Sequence, residues 1–274
     1  MPIHPTAIVS PKAELDSSVE VGPYAIIDDH VRIGAGTRVM ARAYLTGHTT
    51  IGRDNQIHIG AVLGHEPQDL KFDRSCRSFL TIGDGNTFRE YVTVHRGTAP
   101  DSATVIGNHC LLMANAHVGH NCVIGDRVIM ANAVLLAGHV RVADRAFLSG
   151  GVVVHQFILI GRVAMLSGLS RISMDVPPFT TIAERNEVHG LNAVGLKRAG
   201  ISAEAIRELK QLYRLIYRSD LSMPAALAQA DAFTTPEARE FVEFIRQSPN
   251  GICQAERPLA RTARTRSTTD STPR

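Results

Sequence analysis

Residues 111–136 read LLMANAHVGHNCVIGDRVIMANAVLL. An aliphatic side chain falls at every sixth position: Leu112, Val118, Ile124, Met130 and Leu136. Two places before these anchors stand small or β-branched residues or cysteine: Cys110, Ala116, Cys122 and Val128. A helix repeats at 3.6 residues and a strand at 2, so neither alone generates a strict six. A sustained period of six is the pattern of a parallel β-helix.

The step extends outward in both directions. It occupies Ile3, Val9, Leu15, Val21, Ile27, Ile33, Val39, Leu45, Ile51, Ile57 and Leu63, resumes at Ile82, Phe88 and Val94, and runs from Ile106 to Ile172. Three hexads close one three-sided coil of 18 residues, and successive coils stack about 4.8 Å apart. A narrow interior of Ile, Val, Leu and Ala agrees with 5% aromatic residues and no Trp. Two stretches, 64–81 and 95–105, leave the frame and are expected to be extruded loops, which in solenoids often line the binding face. The six-step ends after DVPPF (175–179). The expected organisation is a β-helix over 1–189, a helical appendage over 190–250 and a disordered basic tail over 251–274. Within the appendage Ser202 is positioned to cap a helix reaching about Arg218, and Ser222–Pro224 and Thr235–Pro236 open two more. Arg207, Lys210, Arg214 and Arg218 form a basic stripe on the first of these, a solvated face or a dock for an acidic partner.

The 274 residues are 44% apolar and 20% charged, a globular composition. A net charge of +3 is too small to argue for nucleic acid. There is no secretory signal and no apolar run of membrane length. The four cysteines contain no CxxC pair, which favours a reduced, cytoplasmic protein.

Coil arithmetic gathers chemistry at one edge. Residues 18 apart stack, so Gly138 lies one coil from His120, His139 one coil from Asn121, and His155 one coil from Ala137. His117 sits at a different point of its coil. Three histidines converging on a divalent ion are one possibility, but the local spacing of three and the coil offsets fit a metal poorly. Acid–base chemistry is another: imidazole titrates near neutrality, and a glycine beside it leaves a backbone N–H open to an oxyanion. Histidines exposed on a solenoid without function are the third.

IHPTAIV (3–9), QDLK (68–71), VHRGT (94–98), NAHVGHNC (115–122), LAGHV (136–140), VHQF (154–157), DVPP (175–178) and GLKR (195–198) follow one another in an order that resembles the acyl-carrier-protein-dependent UDP-N-acetylglucosamine O-acyltransferases, the LpxA family. The resemblance implies a left-handed winding, which the repeat alone does not give, and a homotrimer with active sites between subunits. It implies transfer of a 3-hydroxyacyl chain from acyl carrier protein to the 3-hydroxyl of UDP-N-acetylglucosamine, the first step of lipid A synthesis. No metal and no cofactor are implied beyond the carrier's own phosphopantetheine. By the same resemblance His120 is the general base, Gly138 the oxyanion donor, and His139 a pocket wall. His117, His155 and Gln156 would hold sugar nucleotide or pantetheine. Gln68, Asp69 and Lys71 would contact substrate, Asn192 and Arg198 the nucleotide end, and Gly168 would set acyl length.

The chain departs from the family pattern at three places. Asn121 follows the base where the best-known members have Asp, and Val194 and Ala199 replace polar or charged residues. A related enzyme acting on a 3-amino sugar nucleotide, and a β-helical scaffold without catalysis, are the competing expectations.

Overall fold

The computed structural model describes residues 2–255. Among them, short parallel strands form three sheets of nine, eight and ten strands. The first face runs from Ile8–Val9 to Arg171–Ile172 and the second from Glu14–Leu15 to Leu159–Ile160. The third runs from Glu20–Val21 past Met165–Leu166 to Thr180–Ala183 and Glu187–Leu191. Each strand pairs with the equivalent strand of the next coil, as in His117↔Leu135 and Leu135↔Val153. The winding is left-handed, against the usual crossover preference. The anchors point inward: Leu112, Val118, Ile124, Met130 and Leu136 are buried.

Most corners turn on a residue with positive φ, and most of these are not glycine: Asn121 (60°), Ala133 (57°), His139 (63°) and Phe157 (67°) are examples. This backbone region costs an L-residue about 1–2 kcal/mol. The return is a hydrogen bond along the stack. The N–H of His139 reaches His120 O at 2.9 Å, that of Ala133 reaches Ala114 O at 3.0 Å, and that of Phe157 reaches Gly138 O at 3.1 Å.

One corner also carries a buried polar ladder. Thr37 Oγ1 accepts from Asn55 N–H at 3.2 Å, Asn55 Oδ1 accepts from Asn86 N–H at 2.9 Å, and Asn86 Oδ1 accepts from Cys110 N–H at 2.8 Å. Asn86 Nδ2 donates to Gly107 O at 3.0 Å. These asparagines occupy places two before an anchor, where an apolar filling would leave corner groups unpaired.

Both excursions are shorter than the lapse in periodicity. The strands Val62–His65 and Phe79–Ile82 confine the first to 66–78, and Thr93–His95 and Ala103–Ile106 confine the second to 96–102. Flanking residues still pair, Phe79 with both His48 and Ala103, because their backbone groups are satisfied only within the sheet. The register there pairs Val62 with Thr93 and Thr93 with His117.

The last strand, Glu187–Leu191, turns antiparallel on Thr180–Ala183 and leads into a short helix that the periodicity did not announce. This is α1 (Ala193–Arg198), followed by α2 (Ala203–Tyr217), α3 (Met223–Ala230) and α4 (Pro236–Gln247). Arg162 joins the two parts with a forked pair to Glu240, 2.7 Å at its shortest, and lies over the Phe179 ring. The segment from residue 251 is not all tail. Ile252 bridges Asp175, Gln254 bridges Glu187, and Cys253 is buried against the last coil. The remainder of the expected tail, 256–274, lies outside the described residues.

Replacing Asn86 by Leu leaves Cys110 N–H and Gly107 O without their partner. The expected loss is about 3 kcal/mol of stability, read as a lower guanidinium midpoint for Asn86→Leu than for the parent.

Candidate active site

His120 stands at the corner between the first and second faces, directly before the left-handed residue Asn121. Gly138 occupies the same place one coil later. A Cβ built on Gly138 would lie 2.5 Å from His120 Nε2 and 2.4 Å from Cε1, so the ring packs flat against a bare backbone. Any other residue at 138 displaces the imidazole.

The Gly138 amide is also open. At the corner between the second and third faces the equivalent N–H groups are taken by side chains of the next coil. Asp84 N–H donates to Asn108 Oδ1, Asn108 N–H to Asp126 Oδ1, and Asp126 N–H to Asp144 Oδ1, all at 2.7–2.8 Å. At the His120 corner the residue above Gly138 is the exposed Gln156, and it supplies no such bond. Among the described residues the Gly138 N–H has no partner. A donor buried beside an imidazole and left unpaired is fitted to an oxygen brought by a ligand.

A band of rings surrounds the pair. His139 meets His120 edge-on, with centroids 5.1 Å apart, and stacks on Phe157 at 4.7 Å. His117, at the start of its strand on the first face, bonds Thr93 Oγ1 through Nδ1 at 2.7 Å and touches the His95 ring edge-on at 4.9 Å. His155 is exposed further up the first face, with Nδ1 3.3 Å from Gln156 O. Burial holds His117 and His139 below the ordinary imidazole value, with His120 adding to the effect on both. His95 is 6% exposed and is pushed down to about 4, first by burial and then by the rings around it. The rings beside His120 are therefore neutral at pH 7.

Within one chain the other residues singled out from sequence do not reach this corner. Gln68, Asp69 and Lys71 sit exposed at the tip of the first excursion, where Asp69 Oδ1 accepts from Lys71 N–H at 2.9 Å. Gly168 lies at the corner between the third and first faces, where a Cβ would meet only Gly150 O at 3.4 Å. Asn192 belongs to the remaining corner. It caps α1 by accepting from Gly195 N–H at 2.9 Å and donates to Val163 O at 2.9 Å. With Arg198 it lines a cleft of about 670 Å³ on the third face, beside Arg127, Arg145, Phe147 and Met165. The residues thus occupy three different corners of the prism. Among the described residues no three His, Cys, Asp or Glu side chains converge as a metal site would need.

Comparison with known proteins agrees with this geometry. A family model described as "Bacterial transferase hexapeptide (six repeats)" matches residues 103–137, and one described as "Udp N-acetylglucosamine O-acyltransferase; Domain 2" matches 175–253. The acyl-[acyl-carrier-protein]–UDP-N-acetylglucosamine O-acyltransferase of Gloeothece citriformis is 51% identical over 90% of each chain. This chain belongs to that O-acyltransferase family. The corresponding protein of a Janthinobacterium strain is 47% identical over 91% of this chain and 98% of its own. The solved UDP-N-acetylglucosamine acyltransferase of Bacteroides fragilis is 41% identical, with TM-score 0.87 over 91% of this chain and 99% of that one. That of Acinetobacter baumannii is 38% identical, with TM-score 0.87 over 92% and 99%.

Sequence reasoning about this O-acyltransferase missed Thr93, His95, Thr98 and Thr104, all of which meet the histidines or Asn121. The second excursion replaces the 18-residue step there. The signal was the VHRGT stretch, realigned by pairing Thr93 with His117.

Two outcomes follow from the packing. Gly138→Ala is expected to keep the fold and its melting temperature near the parent's while turnover falls about 10²-fold, because the new methyl displaces the His120 ring and misplacing a reacting group carries a cost of this size; circular dichroism and initial rates check this. The unfolded chain protonates its histidines near pH 6.5, whereas folded His95 stays neutral to about 4. Stability is therefore complete above about pH 6.5 and is lost as pH falls toward about 4. His95 alone accounts for up to about 3 kcal/mol of this. Melting temperatures across that range are expected to fall less steeply for His95→Gln.

Proposed function

We propose that this protein transfers an acyl group from the phosphopantetheine thioester of acyl carrier protein to a hydroxyl of UDP-N-acetylglucosamine. The observation that carries this reading is His120 seated against Gly138 with the Gly138 amide unpaired. His120 Nε2 takes the proton of the sugar hydroxyl as its oxygen attacks the thioester carbonyl. The carbonyl becomes an oxyanion, and the Gly138 N–H donates to it. Collapse forms the C–O ester bond and breaks the C–S bond, and His120 returns its proton to the departing thiolate. The product is an ester and a free pantetheine thiol.

The family relation favours a 3-hydroxyacyl chain, the sugar 3-hydroxyl, and a cytoplasmic place at the first step of lipid A synthesis. No helix among the described residues is long and apolar enough to cross a membrane. The carrier brings its own pantetheine, so no separate cofactor enters the reaction. Carriers of this kind are acidic, and Arg207, Lys210, Arg214 and Arg218 are exposed on one side of α2 and its C-cap. Arg127, Arg145 and Arg198 around the third-face cleft suit a diphosphate.

Placement of these groups on separate corners supports assembly as a homotrimer that unites them across subunits. An exposed apolar row on the first face points the same way. Ile8 is 65% exposed, Ile26, Leu135 and Val153 lie on the same outward register, and an uncovered row of this kind marks an interface.

The test is a purified-protein assay with labelled UDP-N-acetylglucosamine and a panel of 3-hydroxyacyl carrier thioesters. The product is expected to be labile to mild base, as an ester is and an amide on a 3-amino sugar is not. His120→Ala is expected to lose about 10²–10⁴-fold in turnover while light scattering still reports a trimer. Unchanged turnover in that variant overturns the base assignment, and no turnover by the parent with any thioester favours a binding scaffold.

A further inference from the structure

We infer that Thr98 is a positioning residue: through the side-chain amide of Asn121 it holds His120 in the one tautomer that can act as a base. The inference rests on His120 being the base and concerns what keeps it competent.

Asn121 Oδ1 lies 3.0 Å from His120 Nδ1. The same oxygen accepts from the Thr98 backbone N–H at 3.1 Å and from Thr98 Oγ1 at 3.0 Å. A backbone N–H only donates, so the atom facing it must be the carboxamide oxygen. With oxygen there, His120 Nδ1 must carry the ring proton. Nε2, the ring nitrogen nearer Gly138, then keeps its lone pair for the substrate hydroxyl. A flipped carboxamide reverses every step. Nδ2 would face the Thr98 donors, and it would donate to His120 Nδ1. The ring proton would then sit on Nε2, where no hydroxyl proton could be taken up.

Thr98 is itself held. Gly97 N–H donates to Phe79 O at 3.2 Å, and a Cβ on Gly97 would fall within 2.7 Å of the Ser102 backbone. Ser102 Oγ accepts from Ala99 N–H at 3.0 Å and donates to Ala99 O at 2.8 Å, closing the excursion beside Thr98. Asn121 is fixed from its own side by φ of 60° and by its N–H on Thr104 Oγ1 at 2.8 Å. The titratable groups facing His120 are His139, His117 and His95, and none carries a charge at pH 7 to compete for the Nδ1 proton.

The need for Thr98 arises because residue 121 is an amide. A carboxylate has two equivalent acceptors and no wrong orientation. This separates a positioning role from general support of the loop, which would matter equally beside Asn or Asp.

The experiment compares Thr98→Val, Thr98→Ser, Asn121→Asp and the Thr98→Val/Asn121→Asp double variant with the parent, using kcat, KM for both substrates and the pH profile of kcat/KM. Thr98→Val is expected to lower kcat about fivefold, the worth of one neutral hydrogen bond, with both KM values held within about twofold. Thr98→Ser is expected to restore kcat. Asn121→Asp should move the acid limb of the profile to higher pH, because a carboxylate favours the protonated ring. In that background Thr98→Val should cost less than about twofold. Equal losses beside Asn and Asp, a Ser variant as poor as Val, or no loss at all would overturn the inference. His120→Ala is run alongside: if it keeps its turnover, the base assignment itself falls, whereas an inactive His120→Ala with equal Thr98 losses sinks only the role given to Thr98.

Discussion

Everything in this molecule hangs on the backbone bonding that locks one coil to the next in register. Most corners accept a strained positive φ, and most of those turn their N–H along the stack into the coil before. That bond, repeated up the stack together with the strand pairing, places each aliphatic anchor over its predecessor and excludes water from a thin core. Where the core meets a corner that backbone alone cannot satisfy, Thr37, Asn55 and Asn86 continue the ladder with side-chain amides and a hydroxyl. The fold is thus a set of hydrogen-bonded rungs whose spacing cannot drift, and a rigid frame of this kind suits a site built from separate coils.

The site arises at a corner that lacks the side-chain caps seen between the second and third faces. Asn108, Asp126 and Asp144 reach back to cover the amides of one corner, whereas Gly138 has neither a side chain of its own nor a cap from above. The missing Cβ admits the His120 ring, and the missing cap leaves a donor pointed at whatever lies beside that ring. The arrangement comes from two omissions at one corner. The stacking that stabilises the coil also sets the distance between base and donor, so that distance is a property of the whole stack.

Electrostatics complete the arrangement. Burial keeps His95 and His117 neutral, so the rings packed beside His120 add no charge there. Asn121 gives His120 an acceptor and no charge. The ring is oriented as a carboxylate would orient it.

The period of six, the aliphatic anchors and the pairing of His120 with Gly138 could all be determined from the sequence, because an 18-residue coil converts spacing into adjacency with no further information. The ordered motifs from IHPTAIV to GLKR added the family, and with it the hand of the winding, which no periodicity contains. The tertiary structure alone decided the rest. The excursions shorten to 66–78 and 96–102 because flanking strands must pair. The chain returns at 252–254 to close the last coil. Thr93, His95 and Thr98 come beside the histidines because the second excursion breaks the 18-residue arithmetic where they lie. The place of Asn192 at a third corner is also tertiary, since it lies beyond the end of the six-residue step and no coil arithmetic reaches it.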